Sequence, residues 1–136
     1  MSSPNEGALA ASVHATCESG YAVRTTARHH EVAADEPTSA GGGDAAATPM
    51  ELLAAGLAAC TAITLRMYAE RKGWTLGVVK VDARAFLEGG AYRFERVIRL
   101  GAPLDEAQRA RLAEIAEKTP VTRIVASGAP VRTEVR

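Results

Sequence analysis

Apolar and polar positions along the chain switch period several times, and each switch marks an element. Ala11, Val13, Ala15 and Cys17 alternate with Ser12, His14, Thr16 and Glu18, the period of a half-buried strand. Ser19-Gly20 turns the chain, and a second strand follows from Tyr21 to about Arg28, with Arg24, Thr26 and Arg28 opposite Val23 and Ala27. His30, Val32 and Ala34 extend it or form a third strand. From Asp35 to Thr48 (DEPTSAGGGDAAAT) large apolar groups are absent, which predicts a mobile loop. Thr48-Pro49 then opens a helix, because threonine caps free amides and proline at the first helical position sacrifices no hydrogen bond. Glu51 suits its positive end, Arg71 and Lys72 its negative end, and Gly73 ends it. The predicted span is about Pro49 to Lys72. Its middle is apolar nearly all round, so other elements are expected to enclose it.

Period two returns at Val79, Val81, Ala83 and Ala85. It resumes as Tyr92, Phe94, Ile98 and Leu100 after Gly89-Gly90, which predicts a hairpin with a glycine turn. Asp105 and Gln108 resemble a capping box ahead of the stripe Leu104, Ala107, Leu112, Ile115 and Ala116, a second helix ending near Lys118. Thr119-Pro120 caps a short helix to Ser127, and Val131, Thr133 and Val135 alternate as a closing strand. The elements amount to a single α+β domain over residues 1–136, with antiparallel sheets and no internal repeat.

Composition narrows the functional classes. With 136 residues, 47% hydrophobic and 24% charged, the chain has the make-up of a globular domain. Aromatics reach only 4%, so a thin alanine-rich core would gain from pairing with a second copy. Sixteen basic and sixteen acidic side chains cancel, removing the long-range field that attracts nucleic acid or anionic membranes. The longest uncharged stretch, Leu52 to Leu65, is short of the ~20 apolar residues that span a bilayer. Met1 to Gly7 has no secretory pattern. Two cysteines in such a chain point to a reducing cytoplasm and free thiols.

The run TPMELLAAGLAACTAITLRMYAERKGW, Thr48 to Trp74, closely resembles the central-helix signature of the OsmC/organic hydroperoxide resistance (Ohr) superfamily. HHEVAADEP, His29 to Pro37, is similar to the segment that precedes it, and the element order agrees along nearly the whole chain. The resemblance implies an OsmC-like fold in which two chains intertwine as a homodimer, each contributing a long buried central helix, with reactive sites at the subunit interface. It also implies that Cys60 occupies the position of the peroxide-reducing nucleophile. Other parts of that machinery are replaced. The family's resolving cysteine precedes a proline where this chain has Thr119-Pro120, and a hydroxyl forms no disulfide. The family's carboxylate follows the helix-opening proline, where this chain has Met50. Glu51 is one place later, and at ~100° per residue it points about 180° from Cys60, against about 80° for Met50. The family's arginine comes from the segment before the helix, yet no Arg or Lys lies between His30 and Pro49. The pattern is similar to a divergent single-cysteine branch of the superfamily.

Two readings of Cys60 follow. In one it is a small, inert core side chain. In the other it is a nucleophile activated by a guanidinium from another element, with Arg24, Arg28 and Arg123 available, although each also reads as a solvated surface charge. Cys17 is expected in the core, and resolves Cys60 only if the Cα atoms approach within ~7 Å. Leu53, Gly56, Leu57, Ile63, Thr64 and Met67 share the helical face of Cys60. That face suits an apolar peroxide or acyl chain, or equally close packing across a dimer. His14, His29 and His30 lack ligand spacing with the cysteines, so no metal site is expected. Gly41 to Gly43 lacks the lysine of a phosphate-binding loop. If active, the protein is a thiol-dependent hydroperoxide reductase with no bound cofactor, restored by an external thiol. The alternative is non-enzymatic binding of an apolar small molecule at a dimer interface.

Overall fold

A computed structural model describes residues 7–136; the segment from Met1 that was read for a secretory signal lies almost wholly outside the described residues. The chain divides into two compact units between Leu52 and Leu53.

In the first unit β1 (His14–Thr16), β2 (Val23–Ala27) and β3 (His30–Ala34) form an antiparallel sheet in that order. Thr25 faces Ala15 on one side and Val32 on the other. The alternation at Ala11–Cys17 produces only a three-residue strand, exposed throughout. It is an edge strand, and the apolar half of its pattern is as exposed as the polar half. The segment from Asp35 to Thr48, expected as a mobile loop, contains a 3-10 turn at Thr38–Ala40. Its ends are tied by Asp35 N–H donating to the Ala47 carbonyl at 3.0 Å and Asp44 N–H to the Glu36 carbonyl at 3.0 Å. Asp35 itself is buried. Its carboxylate accepts the amides of Ala45 at 3.1 Å and Glu36 at 2.7 Å. The amides of Ala45, Glu36 and Gly43 outweigh burial and hold its carboxyl below the usual carboxylate range. At Gly42 a Cβ would sit 2.0 Å from the Glu36 carbonyl oxygen, so only glycine permits this close approach.

α1 (Pro49–Lys72) begins in the first unit and runs into the second. Glu51 N–H donates to Thr48 Oγ1 at 3.1 Å, while Thr48 N–H donates to Glu51 Oε1 at 2.9 Å. This reciprocal box satisfies two amides that have no partner within the helix. The other end closes with Gly73 N–H on the Glu70 carbonyl and Trp74 N–H on the Ala69 carbonyl, the paired bonds of a Schellman stop. Both ends are set by local chemistry, and the helix occupies the predicted span.

In the second unit β4 (Val79–Glu88) and β5 (Ala91–Leu100) form an antiparallel hairpin with Glu88 opposite Ala91. Gly89 and Gly90 both take positive φ, 57° and 82°, as a two-residue turn of matching twist requires. α2 (Glu106–Ala116) carries the expected capping box between Asp105 and Gln108. α3 (Pro120–Ser127) starts at Thr119, whose hydroxyl accepts Thr122 N–H. Leu65 and Ala69 of α1, Leu76, and Leu112 and Ala116 of α2 form the buried core, with Val79, Ile98 and Leu100 of the hairpin packed against them.

One expectation fails here and another is met in part. Within one chain α1 is enclosed along a single stripe: Leu57, Thr61, Leu65 and Ala69 are buried, at every fourth residue. By length and composition α1 is apolar enough to cross a membrane, but this stripe is the backbone of the unit's core. Val131, Thr133 and Val135 form no strand; Val131 is 89% and Val135 92% exposed. An alternating segment becomes a strand only when it pairs with another, and among the described residues it pairs with none.

Candidate functional site

Cys60 lies midway along α1, a free thiol of intermediate exposure. Thr64, one turn on, is its hydrogen-bonding neighbour, with Oγ1 4.0 Å from Sγ. Leu53, Ile63 and Met67 on the same side are exposed by 43%, 57% and 54%, and Gly56 is also open. They form an apolar face along the thiol. Leu57, assigned to that face from the sequence, instead turns into the interior.

The neighbouring residue, Thr61, points the other way and is fully buried. Its hydroxyl donates to the Leu57 carbonyl at 2.7 Å and accepts from Arg96 Nη1 at 2.9 Å. The same Nη1 donates to Thr122 Oγ1 at 2.8 Å, and that hydroxyl donates in turn to the Ala116 carbonyl at 3.0 Å. Arg96 Nη2 reaches Glu117 Oε1 at 3.2 Å. One guanidinium therefore joins β5 to α1, α3 and the end of α2. Its side chain is only 12% exposed, against 75% for Glu117. A cavity of about 400 Å³ opens beside it, lined by Leu57, Tyr92, Phe94, Arg96, Thr122 and Val125 among others, and Cys60 is not part of its wall.

Thr119, where the family resemblance puts a second cysteine, is buried and committed to structure. Its hydroxyl caps α3 and lies 2.6 Å from Thr122 Oγ1. Glu51 is committed as well: the backbone and hydroxyl of Thr48 hold its carboxyl below the usual range. Neither is hydrogen-bonded to Cys60 among the described residues. Arg123 is exposed on α3. Arg24 and Arg28 are exposed in the first unit, Arg28 at a positive φ of 56°. Cys17, expected in the core, is exposed in the first unit, and its thiol donates to the Gly20 carbonyl at 3.3 Å. Its alternating neighbour Ala15 belongs to β1, which is exposed throughout, so the alternation did not mark an interior position. Among the described residues no cluster of His, Cys, Asp and Glu is arranged to hold a metal.

Arg96 is the residue that sequence reasoning passed over. It occupies the inward register of β5 between Phe94 and Ile98, opposite Ala83. The signal was a charge at a position where the alternation calls for an apolar group, facing an alanine that leaves it room.

The architecture and the thiol on an open helical face define a class of small α+β proteins built around a cysteine-bearing central helix. A model of the OsmC-like protein family matches residues 41–134, and the chain belongs to that family, within the OsmC/Ohr superfamily. Comparison with curated protein sequences finds no match. Among solved structures, the chain is similar to a protein described as an osmotic stress induced and detoxification response protein from Psychrobacter arcticus (TM-score 0.79, 16% identity, covering 91% of this chain and 93% of that one). It is also similar to the organic hydroperoxide resistance protein OsmC of Legionella pneumophila (TM-score 0.67, 20% identity, 90% and 93% covered). The organic hydroperoxide resistance protein OhrB of Bacillus subtilis gives a TM-score of 0.62 at 21% identity, with 88% and 92% covered. At these identities the structures share the fold.

Proposed function

We propose that this chain is a thiol-dependent redox protein of the peroxide stress response, in which Cys60 reduces organic hydroperoxides. Membership of the OsmC/Ohr superfamily supports a stress or redox role, and the organic hydroperoxide resistance proteins that share the fold suggest the substrate class. The observation that carries the reading is the free, partly exposed Cys60 on the apolar side of α1 that the core leaves open. Cys60, as thiolate, attacks the terminal peroxide oxygen; the O–O bond breaks, the alkoxide leaves and takes a proton to become the alcohol, and the sulfur becomes a sulfenic acid. An external thiol condenses with the sulfenic acid, releasing water. A second thiol then displaces the mixed disulfide and restores Cys60. External reduction fits Thr119, which cannot form a disulfide. The open Leu53, Ile63 and Met67 face also supports a homodimer formed through α1.

Wild-type protein and Cys60→Ser are exposed to cumene hydroperoxide with dithiothreitol and dimedone. Peroxide consumption and a dimedone adduct on Cys60, both lost in Cys60→Ser, are expected. Undiminished peroxide and an unlabelled Cys60 in the wild-type protein would overturn the proposal.

A further inference from the structure

The buried guanidinium of Arg96 does more than the fold requires of it. Both hydroxyls that receive its Nη1 have committed their own hydrogens to backbone carbonyls, Thr61 to Leu57 and Thr122 to Ala116. Each therefore turns a lone pair toward Nη1, which saturates that nitrogen and fixes the plane of the group. The remaining edge, Nε and Nη2, carries one contact among the described residues, a 3.2 Å bond to Glu117. Glu117 lies at the C-terminal cap of α2 with its side chain 75% exposed, so water competes for it and little holds it in place. A mostly buried cation thus has its counter-charge on the rim, and Arg96 itself lines a cavity of about 400 Å³. Leu57, Phe94, Val125 and Ala126 give the apolar part of its lining, beside Tyr92, Thr122 and Glu117. Arg93, the second cation there, is already paired with Glu88 and Glu95 at 2.9 Å each.

We propose that this cavity binds a small monocarboxylate with an apolar body, its two oxygens taken side-on by Nε and Nη2 of Arg96 in place of Glu117. A planar fork held by two neutral acceptors matches a carboxylate bidentately. With Arg93 already paired and Glu117 displaced, one positive charge faces the ligand and selects a monoanion over a phosphate dianion, while Leu57, Phe94, Val125 and Ala126 take the hydrocarbon part. The site is separate from Cys60, which does not line the cavity.

Full-length protein is titrated with hexanoate and with 1-hexanol, following the arginine Nε–H signals by NMR. Hexanoate is expected to move the Arg96 signal saturably and to bind at least about tenfold tighter than the alcohol, the margin of a charge-assisted pair. Glu117→Gln, an exposed change that keeps the bonds from Arg96 to Thr61 and Thr122, is expected to tighten hexanoate binding severalfold by freeing the edge. Arg96→Met is expected to abolish the preference for the acid. Equal affinity for acid and alcohol, no saturation by hexanoate, or a Glu117→Gln protein that binds no better than wild type would each overturn the assignment. All three readings hold even if Arg96→Met fails to fold.

Discussion

On one side of α1, Leu57, Thr61, Leu65 and Ala69 recur every fourth residue and are buried; on the other, Leu53, Ile63 and Met67 are just as apolar and stay open around Cys60. Hydrophobicity does not distinguish the two sides. What does is the partner surface: Val79, Ile98 and Leu100 of the hairpin and Leu112 of α2 meet the first side. The buried side even contains the more polar residue, Thr61, because its hydroxyl has both a backbone acceptor and a guanidinium donor. An apolar helix can therefore carry a fully satisfied polar group on its interior face and a thiol on its open, greasy one.

The sharpest way to break this comparison is to truncate one side chain on each face. Leu65→Ala should cost about 2–5 kcal/mol through lost burial and a residual cavity, whereas Met67→Ala should cost less than about 0.5 kcal/mol in the dilute monomer. Urea unfolding measures both, and equal losses would mean that the faces are equivalent. A Met67→Ala deficit that grows with protein concentration would locate the dimer contact on the open face.

A smaller effect is expected from the polar junction. Thr122→Val removes an acceptor of Arg96 and the donor to the Ala116 carbonyl, and should cost about 1–3 kcal/mol. Thr64→Val, beside Cys60, should stay near neutral in the same measurement. At the start of α1, Thr48→Ala removes the cap and should cost about 1 kcal/mol, read as a lower unfolding midpoint with Cys60 labelling unchanged.

The smallest effect is a pH dependence confined to the first unit and the helix start. Asp35 and Glu51 are held below their ordinary values of 3.8 and 4.5. Depressed carboxyls stabilise the fold fully above those values and lose that contribution as pH falls through the lower folded ones. Acid titration followed by amide exchange should therefore show the loop from Asp35 to Thr48 loosening below about pH 4. Asp35→Asn should already be loose at neutral pH and show a flatter acid response. An unchanged wild-type loop at pH 2 would remove the role given to Asp35.

How much was legible depended on whether the information was local. The ends of α1, the Asp105–Gln108 box, the Thr119 cap and the Gly89-Gly90 turn each rest on residues within a few positions of one another, and each formed as expected. The family signature around Cys60 was equally readable. Errors arose where a pattern needed a distant partner. Ala11 to Cys17 and Val131 to Val135 alternate like strands, but the first yields only a short exposed strand and the last pairs with none among the described residues. Arg96 interrupted an otherwise apolar register, and nothing beside it in the chain announced Thr61, Thr122 or the cavity.

By itself the sequence determined where helices start and stop, where the hairpin turns, and which family the central helix belongs to, because caps, turns and signatures are short-range. Only the tertiary structure decided which side of α1 is interior, that Thr61 and not Cys60 meets the hairpin, and that a guanidinium from position 96 lies among three elements. Those choices depend on burial and hydrogen bonds between residues 26 and 35 positions apart, and such contacts exist only once the chain has closed on itself.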